Sequence, residues 1–332
     1  MVTMSDVAKA AGVSKMTVSN VVNGHPNVRH ETRALVLAAI DRLGYRMNIA
    51  ARSLRAGRTG VIGLAVPEIN LPYYGHLAEL LIERFAQHGL RVVVEQTGAS
   101  REGELDAVFY SRLRMYDGLV LSAVGLGEAD VDLLRLDFPV VVIGERIHDA
   151  TIDHVVMANV AGARAATRHL LEVGCTRVAI IGGSRANAPS ASSLRSDGYR
   201  EALAAAGLPL LPELDVPVDL TLEAGARAMH DLAAAGVAFD GVFCLTDTVA
   251  IGVLRGLADL GRRVPEDVKV IGFDDVPVAR FTVPALSSID PGSPEMAEAV
   301  VRILMARIRG DEIAPQEFVG PHRVVVRGSS AG

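Results

Sequence analysis

Hydrophobic spacing predicts three short helices at the start of the chain. In residues 3 to 11, apolar side chains recur at i, i+3, i+4 and i+7, which is the pattern of one helix face beginning at Thr3. Gly12 ends this helix, Ser14 can cap a second helix with a valine stripe, and a third helix runs from about Glu31 to Leu43. Helix, glycine turn, helix, loop and helix is typical of a helix-turn-helix unit, and a three-helix protein-interaction bundle is the alternative.

From Val61 onward, short apolar runs alternate with helical stretches. This alternation predicts parallel strands with crossover helices in two similar doubly wound lobes. Such sheets bind ligands beyond the carboxyl ends of their strands, so two facing lobes would enclose a cleft. In the first series the predicted strands are VIGLAV, RVVVEQ, GLVLS and VVVIG, and the helices between them are 74–88, 102–115 and 128–136. In the second series the predicted strands are RVAIIGG, DVPV, GVFCLT, VKVIGFDD and RVVVR, and the helices between them are 191–206, 221–235, 247–260 and 294–309.

The charge of the chain is divided unevenly. The 332 residues carry a formal net charge of −6, yet residues 1–58 hold nine Lys and Arg against three acidic residues. That segment is therefore strongly cationic and the remainder strongly anionic. A short basic segment on an acidic body indicates a protein that contacts nucleic acid with one end.

Cysteine usage and missing motifs narrow the class of protein. Cys175 and Cys244 each lie in an apolar stretch, which predicts buried free thiols in a reducing compartment and hence a cytoplasmic protein. No apolar run is long enough for a membrane span, and the first residues lack the apolar region of a signal peptide. The sequence has no GxSxG, HExxH, P-loop or CxxC motif, so we predict no enzyme activity, no metal and no cofactor.

Two consecutive runs near the N-terminus identify a family resemblance. TMSDVAKAAGVSKMTVSNVVNG, followed by VRHETRALVLAAIDRLGYRMNIAARSL, strongly resembles the lactose-repressor and galactose-repressor (LacI/GalR) family of bacterial transcription regulators. The motifs LPYYGHL, DTVAIGVL, VPEDVKVIGFDD and PALSSI extend the resemblance over essentially the whole chain. It implies an N-terminal all-α helix-turn-helix head and an α/β periplasmic-binding-protein-like core of two doubly wound parallel-sheet lobes.

The resemblance also implies domain boundaries. The expected segments are a DNA-binding domain at 1–46, a hinge helix or linker at 47–58, and a two-lobed effector-binding and dimerisation core at 59–332, with lobe 1 at about 59–160 and 290–320 and lobe 2 at about 161–289 and 321–328.

In this family the second helix of the head lies in the major groove of DNA. The positions that match its base readers are Lys15, which can reach guanine, Met16, which offers apolar contact, and Asn20, which can pair with adenine. The other residues expected to contact DNA are Thr3, Ser14, Thr17, Ser19, Asn23, Tyr45, Asn48, Ala51, Leu54 and Arg55.

Residues 48–56 match the hinge helix of the family. Leu54 occupies the position of the leucine that wedges into the minor groove and kinks the DNA. Nine residues are too few for a stable isolated helix, so we expect this segment to fold together with operator binding. The alternative is an ordinary linker with solvated arginines.

The resemblance places an effector site in the cleft. Arg195 and Asp274 match a ligand clamp that suits a polyol, and Tyr73 and Tyr74 can stack on a flat ligand or sugar face. Leu220 stands where purine-binding relatives have an aromatic residue, so a sugar or related polyol is favoured over a purine. The remaining candidates are Glu145, Arg146, Thr246 and Asp247.

These features together predict a homodimeric repressor whose affinity for a pseudo-palindromic operator changes when an effector alters the angle between the lobes. The chain stops at RVVVRGSSAG without a heptad tail, so a dimer is the expected state. The alternatives are the same fold with a purine or nucleoside corepressor, and a cytoplasmic sugar-processing enzyme.

Overall fold

The computed structural model describes residues 2–22, 25–45, 58–113, 115–134, 138–147, 151–182 and 190–331. The chain divides between Thr59 and Gly60 into a small unit and a large unit. Five of the residues expected to contact DNA lie outside the described residues, namely Asn23, Asn48, Ala51, Leu54 and Arg55.

The small unit packs three helices around one apolar core. The helices are α1 (Met4–Ala11), α2 (Lys15–Val22) and α3 (His30–Leu43). The Thr3 side chain accepts a hydrogen bond from the Asp6 backbone, and the Asp6 carboxylate accepts one from the Thr3 backbone at 2.8 Å. This capping box fixes the start of α1. The buried core residues are Val7, Ala8, Val18, Val21, Val36 and Ala39.

The large unit contains the alternating strands and helices. Its strands are β1 (Val61–Val66), β2 (Arg91–Gln96), β3 (Gly118–Ser122), β4 (Val140–Ile143), β5 (His154–Val156), β6 (Val178–Ile181), β7 (Asp215–Val216), β8 (Gly241–Cys244), β9 (Lys269–Ile271), β10 (Ser288–Asp290), β11 (Glu317–Val319) and β12 (Arg323–Val325). Its helices are α4 (Pro72–Gln87), α5 (Arg101–Arg112), α6 (Val131–Leu134), α7 (Asn159–Glu172), α8 (Ala191–Ala205), α9 (Leu222–Ala234), α10 (Asp247–Asp259) and α11 (Ser293–Arg309).

The first lobe is a six-stranded parallel sheet in the order β11-β5-β4-β3-β1-β2. Helices α4 and α11 pack on one face, where Phe85 and Leu304 are completely buried. The other face is covered by α5 and α6 through residues such as Val108 and Val131. Strands that are buried on both faces read as continuous apolar runs, which is why VIGLAV and GLVLS show no alternation.

The second lobe has a four-stranded parallel sheet in the order β7-β6-β8-β9. Helices α7 and α8 cover one face around Tyr199, and α9 and α10 cover the other around Met229. The run leading into β10 continues this sheet beside β9, because the Gly272 amide donates to the Ser287 carbonyl at 2.9 Å. The chain thus passes between the lobes after β5, after β10 and after β11.

Two sequence predictions differ from the structure. The helix expected at 128–136 is a 3-10 turn at Glu128–Asp130 followed by the single turn of α6. The strand expected from VKVIGFDD ends at Ile271, shortly before Asp274 and Asp275, whose positive φ angles of 111° and 46° interrupt the extended backbone. Among the described residues, no helix is both long and apolar enough to cross a membrane.

The contact between α9 and α10 depends on glycine, which gives the first prediction. A Cβ on Gly252 would lie 2.0 Å from the Leu222 carbonyl oxygen, whereas a Cβ on Gly75 in α4 would have no heavy atom within 4 Å. We expect Gly252→Ala to lower the free energy of unfolding by about 1–3 kcal/mol through overpacking. Gly75→Ala, the matched control, should raise it by up to about 1 kcal/mol through helix propensity. Urea unfolding measures both, and equal effects would contradict the close helix contact.

Candidate functional site

The carboxyl ends of strands from both lobes surround one cavity. Its volume is about 200 Å³, and its wall combines apolar side chains with a few polar groups, as the walls of small-molecule sites do. All but one of the nine predicted effector residues line this cavity. Those that line it are Tyr73, Tyr74, Glu145, Arg146, Arg195, Leu220, Thr246 and Asp274.

Arg195, on α8, is the buried cation of the cavity wall and is only 4% exposed. Its Nε donates to Asn159 Oδ1 at 2.8 Å, and its Nη1 donates to the Leu245 carbonyl and lies 3.4 Å from Asp274 Oδ1. The guanidinium carbon lies 3.7 Å from the centre of the Phe273 ring. Protein groups therefore hold the guanidinium in place, as buried charge requires.

Asp274 follows β9 and places its carboxylate beside Arg195. Burial raises the pKa of the Asp274 carboxyl to about 6, although the nearby Arg195 guanidinium acts to lower it. The residue has a φ of 111°, a backbone conformation that L-residues rarely adopt. Strain of this kind often occurs at ligand sites. The cavity therefore holds a carboxyl group that gains or loses its proton near neutral pH.

Asp247 is the predicted effector residue that the structure places elsewhere. Its side chain is completely buried behind the cavity wall, where Oδ1 accepts from the Ser288 hydroxyl at 2.6 Å and Oδ2 accepts from the Val276 amide at 2.9 Å. Burial raises the pKa of its carboxyl well above the usual range. The preceding Thr246 caps α10 by accepting from the Val249 amide at 3.2 Å and lines the cavity itself. Asp247 thus supports the loop after β9 and does not line the cavity.

Two tyrosines at the start of α4 form an aromatic corner. The Tyr73 and Tyr74 ring centres are 5.0 Å apart with an interplanar angle of 70°. The Tyr73 hydroxyl is buried and has no hydrogen-bond partner among the described residues, although its ring packs against apolar clusters of both lobes. Burial raises the pKa of Tyr74 to about 12. A buried hydroxyl without a partner is costly, so a ligand that satisfies it gains affinity.

Several polar residues of the site escaped the sequence prediction. Asn159 joins Glu145 to Arg195, with its Nδ2 donating to Glu145 Oε1 at 2.6 Å. The serines at the start of α8 could have been found, because they closely follow a predicted strand that ends in Gly-Gly. The polar lining residues that were missed are Ser122, Ser190, Ser192 and Thr248. No group of His, Cys, Asp and Glu side chains within the described parts of the chain could hold a metal ion.

The outer face of α2 is the candidate nucleic-acid interface. Lys15 and Met16 are exposed, and Met16 has 74% of its surface accessible while Val18 on the same helix is completely buried. Ser14 accepts from the Thr17 amide at 3.0 Å, so its hydroxyl caps the start of the helix. The partly exposed candidates are Thr17, Ser19, Asn20 and Tyr45, and Tyr45 packs against the head core. The helix thus presents a long apolar side chain and polar groups on one side.

Family models match both units of the chain. Residues 3–48 match bacterial regulatory proteins of the lacI family, and residues 167–330 match a periplasmic binding protein-like domain. A lacI-type helix-turn-helix head together with a periplasmic-binding-protein-like core defines a DNA-binding transcription regulator.

Individual proteins match the chain over most or all of its length. The ribose operon repressor of Halalkalibacterium halodurans is 30% identical over 100% of this chain and 98% of its own. A LacI-family putative transcriptional regulator from Sanguibacter keddieii is 43% identical, with a TM-score of 0.76 over 83% of this chain and 100% of that one. The transcriptional regulator CelR, solved with cellobiose, is 31% identical, with a TM-score of 0.73 over 99% and 100% of the two chains. The chain belongs to the LacI family of bacterial regulatory proteins.

The raised pKa of Asp274 gives the second prediction. The pKa of the Asp274 carboxyl is about 6 in the folded protein and near the ordinary value of 3.8 in the unfolded chain, so this group binds its proton more tightly in the folded protein. The stability of the wild type should therefore fall as pH rises from about 4 to 6, by about 3 kcal/mol relative to Asp274→Asn. Urea unfolding of both proteins across this range measures the difference. A constant difference between them would contradict the shifted pKa.

Proposed function

We propose that this chain is a dimeric repressor that binds a pseudo-palindromic operator and changes its DNA affinity when a sugar or related polyol occupies the cleft. The composition of the cavity wall is the main support for this proposal. Carboxylates at Glu145 and Asp274 can accept from sugar hydroxyls. The aromatic corner of Tyr73 and Tyr74 offers an apolar face and the Tyr73 hydroxyl, which has no hydrogen-bond partner in the part of the chain that the structure describes. We further propose that it acts in the cytoplasm.

The cavity chemistry favours a sugar over a purine. Leu220 lines the cavity on the side of the second lobe, and it offers no aromatic face on which a base could stack. The polar groups belong to several different elements, which suits a ligand with hydroxyls around its whole rim. The structural relative CelR was solved with cellobiose, which supports the same class of ligand.

Within the head, we propose that Lys15, Met16 and Asn20 read base edges and that the other polar candidates position the protein on phosphates. The exposure of Lys15 and Met16 on one side of α2 supports this assignment. For residues 47–58 the sequence alone supports a hinge helix with Leu54 as its minor-groove wedge. We keep the boundaries 1–46, 47–58 and 59–332 as part of the proposal.

Exposed apolar side chains on the second lobe support a dimer. Phe281 and Val283 are 77% and 95% exposed, and Val278 precedes them in the same turn region. Three large apolar residues within six positions form a surface that a partner would cover. A second copy of this chain is the partner that the proposed two-fold operator requires.

The main experiment is selection of bound DNA from a random pool, repeated with and without a panel of sugars and purines. The proposal predicts enrichment of a palindromic site whose recovery changes with one sugar. A change with a purine instead would transfer the effector to the other class. No enriched site under any condition would contradict the function.

Asn20 gives the third prediction, which uses the selected site. Asn20→Ala should weaken binding to that site by about 5- to 150-fold, the value of one bidentate base contact. Binding to unrelated DNA, which depends on phosphate contacts, should stay within about twofold. Fluorescence anisotropy at one salt concentration measures both. An equal loss of affinity for both DNAs would indicate general damage to the head and would contradict the proposal that Asn20 reads a base.

Phe281 gives the fourth prediction. Phe281→Ser should raise the dimer dissociation constant by about 30-fold or more, as expected for an aromatic residue at the centre of an interface. Leu210→Ser is the matched control, because Leu210 is another exposed apolar residue of the second lobe. Sedimentation equilibrium should show no change for the control. A dimer that is unaffected by Phe281→Ser would place the interface elsewhere.

A further inference from the structure

A short chain of hydrogen bonds joins the two lobes through the side chain of Asn159, the first residue of α7. Its Nδ2 donates to Glu145 Oε1 at 2.6 Å, and its Oδ1 accepts from Arg195 Nε at 2.8 Å. Glu145 follows β4 in the first lobe, and Arg195 lies on α8 in the second. A single amide group thus connects a carboxylate on one lobe to a guanidinium on the other.

The chemistry of this position requires an amide. A carboxylate at residue 159 would accept from Arg195 but would repel Glu145, and an apolar side chain would leave both charged groups without this partner. Asn159 is 2% exposed, so water cannot readily replace either bond. The two bonds together fix the orientation of the amide and the separation of the groups on either side of it.

The location of Asn159 gives this bond chain a role beyond packing. Glu145 and Arg195 both line the cavity, while Asn159 lies where the chain passes from β5 in the first lobe to α7 in the second. A ligand that contacts either charged group therefore also acts on the bonds of Asn159. Interactions at such a crossover restrict the angle between two lobes.

We propose that Asn159 is a positioning residue that sets the angle between the lobes and transmits ligand contacts at Glu145 and Arg195 to that angle. The ligand part of this inference rests on the proposed function, whereas the part concerning the angle does not. Asn159 transmits ligand contacts through these two charged groups, so the proposal requires no contact between Asn159 and the ligand.

Exchanging the hydrogen-bond donor and acceptor between residues 159 and 145 tests the proposal. Asn159→Asp should place two carboxylates against each other and force the lobes apart. Adding Glu145→Gln should restore the link, since the new amide at position 145 can donate to the new carboxylate at position 159, which still accepts from Arg195. Both substitutions preserve side-chain shape, so a purely packing role predicts neither the loss nor the rescue.

The distance between the lobes is the direct measurement. Ala129 and Glu223 are exposed residues on the first and second lobes, and substitution of both by cysteine allows spin labelling because Cys175 and Cys244 are buried. Spin-label distance measurements on the full-length protein should show a longer and broader distribution for Asn159→Asp. The double variant should return to the wild-type distribution.

A control variant distinguishes a change in the angle between the lobes from a general loss of stability. Asp240 accepts hydrogen bonds from the Thr176 and Arg177 amides within the second lobe, away from the cavity. Asp240→Asn should lower stability but leave the label distance unchanged. Should Asn159→Asp not fold, Glu145→Ala carries the same expectation of a longer distance, because it removes the acceptor. An unchanged distance in the folded variant, or a shift that the double variant does not reverse, would overturn the proposal.

A calorimetric titration tests the ligand part. The sugar that binds the wild type should bind Asn159→Asp at least about tenfold more weakly, a loss of about 1.4 kcal/mol. Because Glu145 is itself a proposed ligand contact, the double variant is compared with Glu145→Gln alone, and these two proteins should bind the sugar within about twofold of each other. An equal effect of Asn159→Asp in both backgrounds, or no effect in either, would overturn the transmission of ligand contacts through Asn159. If no sugar binds the wild type, the proposed effector class fails, while the label distances still decide the role of Asn159.

Discussion

Burial of one guanidinium group is the constraint on which the cleft depends. A desolvated cation is costly, and Arg195 is stabilised because Asn159, the Leu245 carbonyl, Asp274 and the Phe273 ring all reach it. These partners come from a crossover, from the end of β8 and from the end of β9. They meet because parallel strands place their carboxyl ends at the same edge of a sheet. The fold thus assembles a charged site that no single segment could form.

This arrangement suits a binding site whose conformation changes with the ligand better than it suits a rigid one. Arg195 itself and its partner Asp274 line the wall against which a ligand would rest, as does Glu145, so occupation of the cavity acts directly on charged groups that join the lobes. A ligand can shift a conformational equilibrium only through contacts that differ between the two states. Bonds at the crossover provide such contacts, and Asp274, with a pKa of about 6, adds sensitivity to protonation.

The sequence predicted most parts of the fold that carry long, repeated patterns, but it predicted no helix at α7 (Asn159–Glu172). The strands β1, β2 and β3 match their apolar runs, and α3 begins one residue before its predicted start. The short strands β5, β10 and β11 each span three residues, too few for a pattern to be visible. The DTVAIGVL motif marked the correct edge of the sheet but could not show that Thr246 faces the cavity while Asp247 is buried behind it. Asn159 was missed because its role depends on two residues distant in sequence.

The central claim is that ligand binding in the cleft and DNA binding by the head are coupled. Calorimetric titration of the effector into the free protein and into its complex with the selected operator tests this claim most directly. Thermodynamic reciprocity requires the two effector affinities to differ by the same factor by which the effector changes operator affinity. Our account predicts a difference of about fivefold or more. Equal effector affinities in the two titrations would contradict it.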